Sequence, residues 1–325
     1  MLQLVLPLGI SFFTFQVIAY LVDCYKGHVT DFSFCRFAFS ISFYPHLIAG
    51  PILHYSDVMP QLRGRIEFDA RQFSQGLFLF AFGLFKKGVV ADRIAEKVDP
   101  LFAADTVLQF FESWVAAVGY GLQIYFDFSG YSDMAIGIGL MFGIILPQNF
   151  NSPYQAANIA DFWKRWHMTL SRFLRDYLYI PLGGSRNRFA KGVLAAAVTM
   201  AIGGFWHGAA WTFVLWGVLH GAFIGVHRIW TKAGIRMPEP VAITLTFLSV
   251  TVAWGGIPRR IRRSSPVHLE RHGWRQWVCF AEYCHRNLSN LRPINVNHRY
   301  GMDTGGHLVG HMYGFRQCPE TSATA

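Results

Sequence analysis

The sequence predicts an all-α fold, a polytopic bundle of membrane helices that includes broken or re-entrant helices and interfacial amphipathic ones. Of its 325 residues, 52% are hydrophobic, 16% aromatic and only 15% charged. A soluble domain usually carries about 25% charged residues, so this composition is hard to keep in water. The second observation is a series of apolar runs that approach the roughly 20 residues a helix needs to cross a bilayer. The third is that proline and charged residues interrupt some of these runs.

The apolar runs predict the membrane helices in chain order. The first run begins next to Met1 without a basic leader or a small-residue cleavage site, which favours a membrane helix over a cleaved signal peptide. The formal net charge of +10 does not indicate nucleic acid as a partner, because basic residues typically flank membrane helices on the cytoplasmic side. The runs are 3–22, 34–53, 74–91, 107–126, 130–147, 191–206, 208–230 and 240–254.

Two of the runs are irregular. Residues 41–53 contain Pro45 and Pro51, and proline inside a helix removes a backbone donor. Such a break at membrane depth is tolerated where protein or a cavity satisfies the freed carbonyl, so a broken or re-entrant helix is expected. The run 74–91 carries Lys86 and Lys87 and either spans the membrane or lies at its interface.

Residues 148–190 form a polar, aromatic and basic stretch. The positive-inside rule places it in the cytoplasm. Within it, residues 161–180 have apolar side chains at helical spacing, which predicts an amphipathic helix lying in the membrane interface. Pro181 and Gly183 are expected to end this helix.

The segment 125–137, YFDFSGYSDMAIG, precedes another apolar run. One interpretation is that Asp127 or Ser129 caps the start of a helix, where a negative charge is favourable. The alternative is that Asp127 or Asp133 lines a polar tunnel.

His207 is the clearest candidate for chemistry, because ionisable residues within membrane segments are costly and mark functional sites. It lies between two apolar runs beside Gly203, Gly204 and Gly208. A neutral imidazole can accept a proton from a hydroxyl and return it. The alternative interpretation is a buried histidine that is hydrogen-bonded to a backbone carbonyl.

The other histidines leave their roles open. His167 is either a second polar group of a site or a surface residue on the amphipathic helix, and His46 is a weaker candidate. His220 and His227 are seven residues apart, which places them on one helix face and permits haem or metal ligation. We predict no metal site, because the five cysteines form no CxxC pair and no HExxH string occurs.

The chain divides by composition near residue 254. Residues 1–254 form the apolar domain, whereas 255–325 contain ten Arg, no Lys and six of the thirteen His. This tail is either a basic, disordered cytoplasmic segment or a stretch that is out of frame. We assign no function to it.

Five strings in the apolar domain together resemble the membrane-bound O-acyltransferase family, and the resemblance extends over about residues 5–254. They are most similar to the bacterial branch that includes the alginate O-acetyltransferase membrane subunit and the D-alanyl transfer protein. The strings are PLGISFFTFQ (7–16), FYPHLIAGPILH (43–54), YFDFSGYSDMAIG (125–137), FWKRWHMTLSRFLRDYLYIPLGG (162–184) and GGFWHGAAWTFVLWGVLHG (203–221).

The resemblance implies a helix bundle around a central tunnel and an acyltransferase activity. The histidine of the WHG string, His207, would be catalytic, and that of the RWH string, His167, would be the second histidine. The enzyme would move an acyl group, expected to be acetyl, from a cytoplasmic thioester donor such as acetyl-CoA toward a hydroxyl of an exported polysaccharide, as in alginate O-acetylation. No bound cofactor is expected.

The family also suggests an environment and binding residues. The chain would lie in the bacterial inner membrane as a multi-pass protein, in contact with the lipid bilayer, with periplasmic acetyl-transfer proteins as partners and a polysaccharide as acceptor. We expect donor or substrate contacts from the indole of Trp206, the carboxylate of Asp127 and the basic residues of the polar stretch, which are Lys164, Arg165, Arg172 and Arg175.

Two departures from the family pattern leave other functions open. The chain starts almost at the first string, where family members usually have additional helices, and the basic tail replaces an apolar continuation. These departures favour a non-catalytic, truncated assembly subunit as one alternative. The others are a transporter or channel, which the broken helix at 41–53 would suit, and a haem-binding electron carrier that uses His207, His220 or His227.

Overall fold

The computed structural model describes residues 9–30, 32–47, 50–63, 67–102, 108–184, 189–208 and 210–255. Every regular element in these ranges is helical, which confirms the predicted all-α class. The tail assigned to 255–325 lies outside the described residues apart from Gly255. The α-helices are α1 (Ile10–Tyr25), α2 (Phe34–Ser42), α3 (Tyr55–Val58), α4 (Ala70–Phe85), α5 (Asp92–Val98), α6 (Phe110–Met141), α7 (Ile159–Arg165), α8 (Met168–Leu174), α9 (Phe189–His207), α10 (Trp211–Lys232) and α11 (Glu239–Gly255).

The last three helices agree closely with the predicted runs. Among the described helices, α9 and α10 are long and apolar enough to cross a membrane, and α1 and α11 are shorter apolar helices. Only 39% of the apolar window of α9 and 28% of that of α10 is buried. Their apolar side chains therefore face outward, as lipid-exposed helices require and as the core helices of soluble proteins do not.

Small residues let α9 and α10 approach closely. A Cβ atom on Gly217 would lie 2.2 Å from the carbonyl oxygen of Met200, and one on Gly221 would lie 2.7 Å from the Cα of Ala197. The two glycines are one turn apart on α10, so they form a seam on which the backbone of α9 rests. This seam fixes the end of α9, where His207 lies.

The segment 107–147 differs from its prediction. The two expected runs are joined in the single 32-residue helix α6, and the 125–137 string lies in its middle. The interpretation of Asp127 or Ser129 as a helix cap is therefore wrong. A π-helical stretch, Lys86–Ala91, follows α4 and brings two lysines to this helix. Lys86 pairs with Asp133 at 2.6 Å and Lys87 pairs with Asp127 at 2.6 Å, so the two carboxylates are neutralised within the helix.

The prediction of a broken helix within 41–53 agrees with the backbone. Helix α2 ends at Ser42, and a short 3₁₀ turn, Tyr44–His46, contains Pro45. Residues 51–54 have no helical conformation before α3 begins. Whether the chain re-enters the membrane here stays a prediction.

The expected amphipathic helix 161–180 is interrupted at His167. Helix α7 ends at Arg165 and α8 starts at Met168, because His167 has a left-handed backbone with φ of 43°. The helix continues through a π-helical turn, Arg175–Tyr179, and then ends in a turn that contains Gly183 with φ of 104°, as predicted. Its apolar face is buried in the protein, with Phe162 and Leu170 each 1% exposed.

Candidate active site

Five parts of the chain meet around a small cavity of about 20 Å³. A cavity of this size holds one water-sized group, such as a hydroxyl. Its walls are mostly aromatic, with two histidines and one isoleucine, and come from α6, the break between α7 and α8, α9, α10 and α11. The lining residues are Tyr120, Ile124, Phe128, Trp166, His167, His207, Phe213, Trp216 and Trp254.

His207 is the last residue of α9 and is partly buried. Its ring lies between two indoles, with centroid distances of 4.8 Å to Trp206 and 5.3 Å to Trp216. Phe213, in the first turn of the next helix, is 6.4 Å away in a stacked orientation. The imidazole thus borders the cavity within a cluster of aromatic rings.

His167 is 1% exposed and lines the same cavity. Its Nδ1 atom lies 3.1 Å from Oδ1 of Asn149. The prediction left open whether His167 is a surface residue, and the structure excludes that interpretation. Burial lowers the pKa of His167 well below its ordinary value of 6.5, and the nearby His207 lowers this pKa further. His167 is therefore a neutral ring at physiological pH.

Trp206 contacts the catalytic candidate, with its ring 4.8 Å from that of His207, and it also packs on α1. Its ring stacks on Phe15 of α1 at 4.9 Å, and its Nε1 atom donates to the carbonyl of Ser11 at 3.4 Å. This residue therefore ties α1 to the end of α9.

The basic candidates of the polar stretch are mostly ion-paired. Arg165 pairs with Asp161 at 2.9 Å, Arg175 with Asp176 at 2.7 Å, and Arg172 with Asp57 at 3.0 Å. The remaining candidate, Lys164, is exposed and has no ion pair within the described ranges. These four side chains are not lining residues of the histidine cavity.

Asp127 is likewise not a lining residue of this cavity. Its Oδ1 atom pairs with Lys87, and Lys87 also contacts Asp92 at 2.7 Å. The structure thus places Asp127 in a packing contact between α6 and the Lys86–Ala91 stretch.

The remaining histidine candidates have other partners. His220 is completely buried, and its Nδ1 accepts a hydrogen bond from Nε1 of Trp163 at 3.2 Å. His46 is 1% exposed, and its Nε2 lies 3.3 Å from Oε1 of Gln16. Both rings are thus packing residues between segments, not members of the cavity wall.

A second cavity of about 180 Å³ lies between the polar stretch and the two long apolar helices, α9 and α10. Its interior is apolar, with Leu174, Met200 and Ile224 among the lining residues, and its polar side contains Arg175 and Arg228. An apolar space with cationic groups at one side suits an anionic group that is attached to a less polar chain.

The sequence did not identify Asn149, Trp216 or Trp254 as site residues. Trp216 and Trp254 lie inside apolar runs, where tryptophan is ordinary, so their sequence carries no functional signal. Asn149 carries a weak signal, because it is a polar residue two positions after the end of the predicted run 130–147.

The comparisons with known proteins agree with the five strings. A family model described as the membrane-bound O-acyltransferase family matches residues 3–253. The chain is 47% identical over 284 residues to a peptidoglycan O-acetyltransferase of Helicobacter pylori, which covers 78% of this chain and 54% of the relative. It is 37% identical over 321 residues to a probable alginate O-acetylase AlgI of Pseudomonas aeruginosa, covering 97% of this chain and 59% of the relative.

A more distant relative is a teichoic acid D-alanyltransferase of Streptococcus thermophilus, which is 27% identical over 278 residues, or 76% of this chain and 67% of the relative. The chain spans a little over half the length of the first two relatives. Since the family model matches most of residues 1–254 and both histidine strings lie inside the match, the chain belongs to the membrane-bound O-acyltransferase family.

Proposed function

We propose that this chain is a membrane O-acyltransferase that moves an acetyl group from a cytoplasmic thioester donor toward a hydroxyl of an exported polysaccharide. The observation that carries the proposal is the position of His207 and His167 on one aromatic cavity with room for a single hydroxyl-sized group. The names of the bacterial O-acetyltransferase relatives support acetyl as the group and a polysaccharide as the acceptor.

In the proposed reaction, His207 acts as the general base. It removes the proton from the attacking hydroxyl while the hydroxyl oxygen forms a bond to the thioester carbonyl carbon. The carbon–sulfur bond then breaks, and the imidazolium returns the proton to the leaving thiolate, so the histidine is regenerated. A positioned base of this kind contributes about 10²- to 10⁴-fold to the rate.

Two further groups on the cavity wall are suited to the transition state, in which negative charge develops on the carbonyl oxygen of the thioester. Trp216 is 3% exposed, and its Nε1 donor has no hydrogen-bond partner within the described residues. A donor that is already buried and unpaired stabilises an oxyanion without losing an existing bond. His167, as a neutral ring, orients the substrate beside His207.

The second cavity is the proposed approach for the donor. Arg175 and Arg228 line it, and guanidinium groups bind phosphates in a bidentate manner. Lys164 is the exposed cation of the same stretch. Arg165 and Arg172 are ion-paired and line neither cavity, so they have a weaker part in donor binding.

The rest of the proposed setting is the bacterial inner membrane, crossed several times by this chain. The acetyl group would pass to periplasmic acetyl-transfer proteins before it reaches the polysaccharide. The outward-facing apolar surfaces of α9 and α10 support a bilayer environment.

Thioester consumption and acetyl transfer by the purified chain in proteoliposomes test the proposal, with radiolabelled acetyl-CoA as donor and an alginate oligosaccharide with a periplasmic extract as acceptor. His207→Ala should lower the rate by about 100-fold or more. The matched control is His227→Ala, since His227 lies on α10 outside the cavity wall. Full transfer by His207→Ala would show that His207 is not the general base. A wild-type chain that never consumes the thioester would favour a transporter or an assembly subunit.

A further inference from the structure

We infer that Asn149 is a positioning residue of this site, which holds His167 in the one tautomer that leaves its Nε2 atom free to accept a hydrogen bond. The inference rests on the proposed function, and it adds a residue that neither the sequence strings nor the reaction above assigns. Asn149 and Ser132, which anchors it, are each 1% exposed.

Asn149 holds the backbone on both sides of His167. Its carbonyl oxygen accepts from the backbone N–H of Met168 at 2.9 Å, and its Oδ1 accepts from the backbone N–H of Thr169 at 3.3 Å. These bonds enclose the left-handed residue His167, whose φ of 43° is unfavourable for a side chain with a Cβ. A non-glycine residue keeps such a conformation when its surroundings impose it, and such positions cluster at functional sites.

The orientation of the Asn149 amide follows from its other partners. The Thr169 N–H is an obligatory donor, so the atom that faces it must be the oxygen. The Thr169 hydroxyl donates to the same oxygen at 2.9 Å, and Nδ2 donates to Oγ of Ser132 at 3.1 Å. A reversed amide would place its NH₂ group against the Thr169 N–H.

Only one tautomer of His167 is then compatible with its partners. Oδ1 of Asn149 accepts but does not donate, so Nδ1 of His167 must carry the proton. In a neutral imidazole the other nitrogen is then an acceptor. Nε2 is buried without a partner among the described residues, in a ring that lines the cavity. This arrangement leaves Nε2 as an acceptor at the cavity, where it suits a substrate N–H or O–H other than the hydroxyl that His207 deprotonates.

The surroundings of His167 contain little else that titrates. The ring contacts aromatic side chains from four segments, and the described titratable group that acts on it is His207 of α9. The aromatic neighbours are Phe12, Phe128, Phe150 and Trp206. A charge introduced at position 149 would therefore act on His167 without competition from other described carboxylates.

Asn149→Asp and Asn149→Ala separate positioning from simple packing. The carboxylate of Asn149→Asp keeps every acceptor bond and stabilises an imidazolium, so the acid limb of the pH–rate profile should move up by about one to three pH units. Asn149→Ala should lower kcat by about 10- to 100-fold at every pH, with a KM for acetyl-CoA close to that of wild type. An unshifted profile for Asn149→Asp would overturn the inference.

Asn158→Asp is the matched control. Asn158 caps α7, because its Oδ1 accepts a hydrogen bond from the N–H of Asp161, and aspartate serves equally well at that position. The same change of amide to carboxylate should therefore leave the pH profile unchanged.

A spectroscopic measurement makes the inference independent of turnover. In ¹⁵N-histidine NMR of the full chain in nanodiscs, with His167→Gln used for assignment, His167 should show a protonated Nδ1 and an unprotonated Nε2. Asn149→Ala should give a mixture of tautomers. A protonated Nε2 in wild type would overturn the inference even if acetyl transfer occurs. The expected tautomer without any thioester turnover would instead overturn the proposed function.

Discussion

The guanidinium of Arg172 meets the carboxylate of Asp57 in a two-pronged ion pair, although the two residues are 115 positions apart in the chain. Nη1 lies 3.1 Å from Oδ2 and Nη2 lies 3.0 Å from Oδ1. Oδ2 of Asp57 also accepts from the backbone N–H of His54 at 3.1 Å. The pair therefore joins α8, directly after the His167 turn, to the start of α3.

We expect Arg172→Gln and Asp57→Asn to destabilise the protein by similar amounts, about 1–2 kcal/mol each, since the pair is partly exposed. The free energy of unfolding in mixed micelles measures this loss. The double variant should lose less than the sum of the single losses. A raised KM for acetyl-CoA in Arg172→Gln alone, at unchanged stability, would contradict a structural role and favour donor binding.

The pairing of Lys87 with Asp127 gives a second prediction. A double-mutant cycle with Lys87→Gln and Asp127→Asn should show a coupling energy of about 0.5–3 kcal/mol, because the two side chains contact each other and are partly buried. Glu96→Gln is the control, since Glu96 is 58% exposed in its pair with Arg93, and it should change stability by less than about 0.5 kcal/mol. A large loss of transfer rate in Asp127→Asn, with stability unchanged, would restore Asp127 as a substrate contact.

The glycine seam between α9 and α10 gives a third prediction. Gly221→Ala places a methyl group 2.7 Å from the Cα of Ala197, so the two helices must move apart. We expect a cost of about 1–3 kcal/mol, measured as a lower unfolding temperature in detergent. Gly88→Ala is the control, since its added methyl group would meet nothing within 4 Å. Equal behaviour of the two variants would show that the seam does not set the helix spacing.

A fourth prediction concerns acid stability. Burial lowers the pKa of His54 below its ordinary value of 6.5, and the charge of Arg172 lowers this pKa further, whereas Asp57, Asp23 and Asp176 oppose the shift. The unfolded chain then binds more protons than the folded one, so stability falls as pH drops from about 7 toward the folded pKa. One such histidine contributes at most about 1.4 kcal/mol per pH unit.

The comparison of unfolding free energies at pH 7.5 and 5.5 checks this sign. His54→Gln should reduce the difference between the two pH values. A wild-type protein that is more stable at pH 5.5 than at pH 7.5 would contradict the expected direction.

The sequence predicted best those parts of the fold that follow from apolar runs alone. Helices α9 to α11 begin and end within three residues of the predicted runs. Helix α6 was divided into two runs because Asp127 and Asp133 look like a polar boundary. Their lysine partners are more than 35 positions away in the sequence, and hydrophobic periodicity contains no information about such a contact.

The sequence predicted the two histidines of the site, but not the residues that position them. The five strings led to His207 and His167, whereas helical spacing across 161–180 gave no sign of a break at His167. The break depends on hydrogen bonds that Asn149, 18 positions earlier, accepts. No local preference at residue 167 indicates these bonds. Trp216 was missed for a similar reason, since an indole in an apolar run looks like an ordinary membrane residue.

The tryptophans around the cavity lie so close together that their intrinsic optical signals report on the site. Trp254 lies 5.1 Å from Trp166 and 5.5 Å from Trp216, and Trp216 lies 5.3 Å from the ring of His207. Chromophores this close share their excited states, and a protonated imidazole quenches a neighbouring indole. Near-ultraviolet circular dichroism and intrinsic fluorescence can therefore follow donor entry and histidine protonation in the unlabelled protein, in real time and without a coupled assay.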